Sequence, residues 1–177
     1  MGCFTKMPYS QLLSILRPSE APIETGSDSA WATVETMLNT TLPEDYKQFI
    51  DNFGSGWVGG FLYLYNPFSS KAYMNWFNNL DIVTGLAESL GQGGHPLNFG
   101  SGSLIPFGAT KDGHTLFWLT NGLPEQWTIF ILDARAPLFD AYDTDLTGFL
   151  YKLLKCEIDG KTLHSTSLEL FTVGDSN

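Results

Sequence analysis

The sequence predicts an α+β fold, an antiparallel meander sheet packed by N-terminal, central and C-terminal helices. Three observations carry this. Helix-period segments come first, strand-like segments dominate the middle, and a helix-period segment closes the chain. Connections between the middle strands are short, whereas parallel pairing needs a long crossover. The 177 residues are 43% apolar and 14% aromatic, enough for a substantial core without metal or disulfide. We expect a single domain over 1–177. Its core spans about 28–156, with an N-terminal helix and linker over 1–27 and a C-terminal extension over 157–177.

Residues 8–17 suit a short helix with Leu12, Leu13 and Leu16 on one side. Residues 18–27 contain Pro18, Pro22 and Gly26 and read as a linker. Ser27 or Asp28 caps a helix that carries Trp31, Val34 and Leu38. The next helix is the best specified. Pro43 suits its first position, and Glu44 and Asp45 place negative charge at the positive end of its dipole. Tyr46, Phe49, Ile50 and Phe53 fall at i, i+3, i+4 and i+7, and Gly54 supplies the stop.

Trp57 to Tyr65 reads as one strand, with Trp57, Phe61, Tyr63 and Tyr65 on one face and Val58, Leu62 and Leu64 on the other. Apolar residues on both faces imply cover on both, or one face kept for a partner. A longer helix is expected over roughly 70–90, with Tyr73, Trp76, Phe77, Leu80, Val83, Ala87 and Leu90 in register. A glycine-rich loop follows over 91–102. Leu104 to Phe107 then leads through an Asp112-Gly113 turn into Thr115 to Leu119. Asn121 to Pro124 turns into Trp127 to Leu132, and Ala134 to Pro137 turns into Leu138 to Tyr142. Asp143 or Thr144 caps a last helix with Leu146, Phe149, Leu150, Leu153 and Leu154 inward, and Asp145 is also explained as its cap. Leu168 to Val173 can add a strand.

The letters NFGSG occur at 52–56 and again at 98–102. Their flanks share no pattern, and neither copy has the strand-before, helix-after context of a phosphate loop. Glycine and serine supply permissive backbone twice over, independently.

The formal charge is −10. That sign opposes direct nucleic-acid binding and steers a cationic partner toward the surface. Cys3 and Cys156 have no metal or redox spacing and read as free thiols of a reducing compartment. The start resembles a myristoylation signal, but Lys6 stands where Ser or Thr is needed. With no 18-residue apolar run and no signal cleavage site, the expectation is a soluble, cytoplasmic protein with no membrane partner. His95, His114 and His164 are scattered, and His114 beside a turn reads as exposed. There is no G-x-S-x-G elbow. No catalytic residue, metal or cofactor is expected, so the reading is not an enzyme; an enzyme whose triad assembles only in space stands third among the alternatives. Asp133, Asp140, Asp143 and Asp145, with Arg135 among them, form the densest acid group. They read first as caps and a solvated face, second as part of a partner surface.

Leu42-Pro43-Glu44-Asp45-Tyr46-Lys47-Gln48-Phe49, followed by Asn52-Phe53-Gly54-Ser55-Gly56, resembles the LP-x-D-Y-K-x-F signature of the SUKH superfamily, whose members include bacterial immunity proteins and fungal cell-wall-assembly regulators. Trp31 with Val34-Glu35 is similar to its opening helix. Ile105-Pro106-Phe107-Gly108 with Asp112-Gly113 and Phe117-Trp118 is similar to its central strand pair. Phe149-Leu150 to Leu153-Leu154 is similar to its closing helix. The resemblance covers about 28–156. It implies an antiparallel sheet packed by helices, with Leu42, Pro43, Asp45, Tyr46, Phe49, Gly54, Gly56, Pro106, Phe107, Asp112 and Gly113 as structural motif residues. It implies no catalysis but a binding protein that neutralises a toxin, frequently a nuclease, or alternatively an intracellular scaffold or regulatory adaptor. A nuclease must carry basic residues to hold phosphate, so a cationic toxin is the expected partner. Asp112, Glu125, Asp140, Asp143 and Asp145 are its candidate acidic contacts, and Trp57 is a candidate aromatic anchor. Trp57, Tyr63, Tyr65 and Trp118 are all anchors by residue type, each more simply explained as core.

Overall fold

The structure is a computed structural model that describes residues 4–18, 20–81, 83, 85, 104–133, 135, 138–158, 160–163 and 172–173. Its helices are α1 (Tyr9–Leu13), α2 (Asp28–Leu38), α3 (Glu44–Phe53), α4 (helical over 76–81, with 83 and 85) and α5 (Leu146–Leu154). Its strands are β1 (Gly56–Val58), β2 (Leu62–Leu64), β3 (Leu104–Thr110), β4 (His114–Leu119), β5 (Thr128–Asp133), β6 (Leu138–Tyr142) and β7 (Thr172–Val173). They form one sheet of order β6-β5-β4-β3-β2-β1-β7. Every pairing is antiparallel. This is the α+β meander that the order of elements predicts.

Cross-strand partners share a face, so the register sorts the sheet residues. Leu116 pairs with Ile131 and Trp118 with Ile129. That face receives the helices: Tyr46 of α3 meets Trp118 edge-on at 5.1 Å, and Trp76 of α4 lies 5.9 Å from Trp118. Phe117 pairs with Phe130 on the opposite face, and both are buried as well. The central strands are therefore core on both sides. Pro106, which has no N–H to give a ladder, sits where the β3–β4 register shifts. The shift leaves Phe107 stacked on Trp118 at 4.3 Å, tying the motif strand to the helix-covered face.

α3 forms where its apolar period predicts, with Tyr46, Phe49, Ile50 and Phe53 all buried. Pro43 stands one position earlier than expected, just before the first helical residue. Gly54 ends the helix at φ +67, and a Cβ there would run into the Ile23 carbonyl, so this position demands glycine.

Several expectations need correction. The helix expected from about residue 70 begins at 76, after a turn over 72–74 and a bridge between Asn75 and Asn66. The run 57–65 is a hairpin, not one strand: Trp57 pairs with Tyr63 and Val58 with Leu62. Gly59 and Gly60 both take φ 64, a left-handed turn that glycine makes without steric cost. Alternating apolar residues continued across these glycines and hid the turn. His114 is buried, because β3 reaches Thr110 and β4 starts immediately after the Asp112-Gly113 turn. Its Nδ1 lies 3.0 Å from Thr110 Oγ1 and its Nε2 3.5 Å from Asp133. Of the three candidate caps of α5 the structure selects Asp145, not Asp143 or Thr144, since Gly148 N–H donates to its Oδ1 at 2.8 Å. Cys156 is exposed, outside any disulfide. His95, His164, Cys3 and the 91–102 loop with the second NFGSG lie outside the described residues, as does the end of the helix expected to 90.

Candidate partner interface

Two groups of carboxylates flank α3. The first lies at its N-terminus, beside the N-terminus of α5. Asp45 Oδ2 accepts from Thr147 N–H at 2.9 Å and from Thr147 Oγ1 at 3.2 Å. The motif aspartate thus completes the neighbouring helix rather than only its own. Asp145 accepts from Gly148 N–H through Oδ1 and from Met7 N–H through Oδ2, the latter at 3.0 Å. Thr5 N–H donates to the Asp143 carbonyl and Thr144 Oγ1 to the Thr5 carbonyl, each at 2.9 Å, so residues 5–7 are pinned along the entry to α5. A cleft of about 340 Å³ opens here between Lys6, Tyr9, Glu44, Asp45, Gln48 and Asp145. Burial raises Asp45 above the ordinary aspartate range, backbone donation from Thr147 opposes it, and the charge of Asp145 adds to it. Burial raises Asp145 too, against donation from Gly148 and Met7. These carboxylates are spent on backbone N–H groups that helix starts would otherwise leave unpaired.

The second group lines a groove of about 270 Å³ between α2 and α3, formed by Asp28, Trp31, Ala32, Glu35, Glu44, Lys47 and Asp51. Four carboxylates face one ammonium. Lys47 Nζ bridges Glu35 at 3.2 Å and Glu44 at 3.1 Å. Burial alone would lower Lys47, but hydrogen bonds and charge from Glu44 and Glu35 outweigh it and hold the ammonium above its ordinary range. Glu35 also accepts from Leu42 N–H at 2.9 Å, which braces the turn into α3. Asp51 accepts from Trp31 Nε1 at 3.0 Å and from Gly26 N–H at 3.0 Å. Asp28 and Glu44 are exposed. The groove therefore offers negative charge that internal donors only partly consume.

None of these four acids was singled out as a contact from sequence, although a signal was present. Asp28 and Glu35 are seven residues apart on α2, and Glu44 and Asp51 are seven apart on α3. That spacing brings each pair to one helix face, and the packing of α2 beside α3 turns both faces toward each other.

The acids that sequence did single out do not converge. Asp112 is exposed in the β3–β4 turn. Glu125 and Asp143 lie at the other end of the strands, in the 3₁₀ turn Pro124–Gln126 and just after β6. Six residues of β4 separate the two ends, roughly 17 Å at the rise of a strand. Asp143 is exposed and accepts from Thr128 Oγ1 at 3.2 Å. Asp140 accepts from Thr162 N–H and Oγ1 at 2.7 and 2.6 Å. Asp145 is 7% exposed, and both its oxygens are engaged. Among the aromatic candidates, Tyr65 and Trp118 are core, whereas Trp57 and Tyr63 are half-buried against each other.

Among the described residues, no group of three or more His, Cys, Asp or Glu could hold a metal ion. No helix among them is long and apolar enough to cross a membrane. A family model described as SMI1-KNR4 cell-wall matches residues 28–150. No curated protein and no solved structure matches the chain. The matched span runs from the first acid of the α2–α3 groove into α5, so it includes the groove and the Asp45–Asp145 junction.

Proposed function

The chain belongs to the SUKH family, and from that premise we propose that it is an immunity protein that binds and blocks a cationic protein toxin in the cytoplasm. The observation that supports this reading is the α2–α3 groove, four carboxylates around a single lysine on a chain of net charge −10. A nuclease holds its substrate's phosphates with lysine and arginine. An acidic surface can occupy such a site, and its long-range field accelerates encounter. Glu35 and Lys47 are already ordered, so little side-chain freedom is lost when a second cation joins the array.

Co-expression tests the proposal. The chain is expected to rescue growth against a toxin encoded next to it and to copurify with it. Failure to rescue from any neighbouring toxin, with no toxin recovered in a pull-down, would overturn the reading. A regulatory adaptor of the same fold is the second reading, favoured by the cell-wall description of the matched family. It predicts several host partners and no adjacent toxin.

A further inference from the structure

We propose that the rings of Trp57, Tyr63 and Tyr73 form an arginine-binding corner, where a basic protein partner anchors one guanidinium. The inference rests on the reading above for the existence of a basic partner. The rings themselves carry the choice of side chain.

The β1–β2 hairpin sets Trp57 opposite Tyr63, on the sheet face away from buried Val58, Leu62 and Leu64. Tyr73 joins them from the turn that precedes α4. Trp57 and Tyr63 meet edge to face at 4.9 Å and 75°, and Tyr63 and Tyr73 at 5.5 Å and 87°. Trp57 and Tyr73 lie 6.5 Å apart and within 32° of parallel. One ring thus stands nearly perpendicular to two that are close to parallel. Tyr73 is 45% exposed and the other two rings are half-buried; Tyr63 packs inward against buried Tyr65, so the cluster caps the core and keeps one side toward water.

Ring faces carry negative charge density, and a cation is held within about 6 Å of a ring centroid. A cation seated over the gap between Trp57 and Tyr73 meets that distance for both rings. Guanidinium fits better than ammonium. It is planar, weakly hydrated and able to stack, and its N–H fork can reach phenolic oxygens while it does so. A second copy of this chain would suit the corner poorly, since two molecules of charge −10 repel.

The test is a titration of the full chain with a short peptide containing one arginine, followed by NMR of the tryptophan indole and tyrosine ring signals. Peptides with citrulline or lysine at the same position are the controls. The arginine peptide is expected to shift the Trp57, Tyr63 and Tyr73 signals saturably, and the uncharged citrulline peptide to leave them in place. Tyr73→Ala should weaken binding by roughly threefold to fivefold. It removes an exposed ring, so the test stands even if Trp57→Ala does not fold. Equal shifts with citrulline would overturn the inference. So would binding that survives Tyr73→Ala and is lost in Glu35→Gln/Glu44→Gln, a result that moves the anchor to the groove and leaves the proposed function standing. Arginine binding at the rings without rescue from any toxin would retain the corner and remove the function.

Discussion

The carboxylates at the α3–α5 junction and those in the α2–α3 groove are the same chemical group put to different uses. Asp45 and Asp145 are largely consumed by backbone donors of α5 and of the N-terminal segment. Glu44 and Asp28 face solvent beside a lysine that neutralises only part of the array. The difference teaches that acid density in a sequence does not locate a binding surface. What decides is how many unpaired N–H groups the fold brings within reach of each oxygen. Asp51 sharpens the point: it lines the groove, yet it works like the junction acids by accepting from Trp31 and Gly26.

The largest expected effect comes from breaking the junction. Asp145→Ala removes the α5 cap and leaves the Gly148 and Met7 donors unpaired, and we expect a loss of about 2–4 kcal/mol in urea unfolding. A loss no greater than that of Glu44→Gln would erase the contrast between the two groups.

Next is the tryptophan pair. Trp31 donates to Asp51, whereas Trp76 Nε1 is buried with no hydrogen-bond partner among the described residues. Both rings lose the same volume on change to phenylalanine. Trp31→Phe should therefore cost about 1–2 kcal/mol more than Trp76→Phe, because only it forfeits a bond to a charged acceptor. Equal losses by calorimetry would show that the Asp51 bond contributes nothing.

The pH response follows from the junction. Asp45 and Asp145 are both raised in the folded chain. Their contribution is most favourable below the ordinary aspartate range and is lost as pH rises through their folded values. Glu24 runs the other way. Burial would raise it, but hydrogen bonds from Ser55, Ser70 and Ser69 outweigh burial and lower it, so its contribution holds above the ordinary glutamate range and fades in acid. Asp45→Asn should shift the melting-temperature profile relative to wild type between these limits, with the relative gain for the variant at neutral pH. A profile parallel to wild type would place the raised charge elsewhere.

The smallest stability effect belongs to the groove. Glu44→Gln should change stability by less than about 0.5 kcal/mol, since its partner Lys47 retains Glu35 and Glu44 itself is exposed. Its effect should appear in kinetics. Glu35→Gln/Glu44→Gln should slow association with a cationic partner by roughly tenfold at low salt, and added salt should close the gap. Unchanged stopped-flow rates would remove the groove from the interface.

Much of the fold was legible before any coordinates. Tyr46, Phe49, Ile50 and Phe53 announce α3, and β6 runs over the same Leu138–Tyr142 that its flanking turns predict. Asp112-Gly113 marks the β3–β4 turn, where Gly113 takes φ 88. The reading failed where one local pattern concealed another, as at Gly59-Gly60, or where a turn was shorter than assumed, as before His114. It failed most for the site. Glu35 and Glu44 look like ordinary solvated helix acids until two helices are set side by side.

By itself, then, the sequence determined most of the helices and strands, that the meander is antiparallel, and that the chain is anionic. Those properties follow from local periodicity, turn chemistry and composition. Only the tertiary structure decided that Asp45 serves a helix more than 100 residues away, that acids of α2 and α3 share one groove, and that Trp57, Tyr63 and Tyr73 meet at the surface. Such contacts depend on how apolar faces pack across long stretches of chain, and residue spacing carries no record of that.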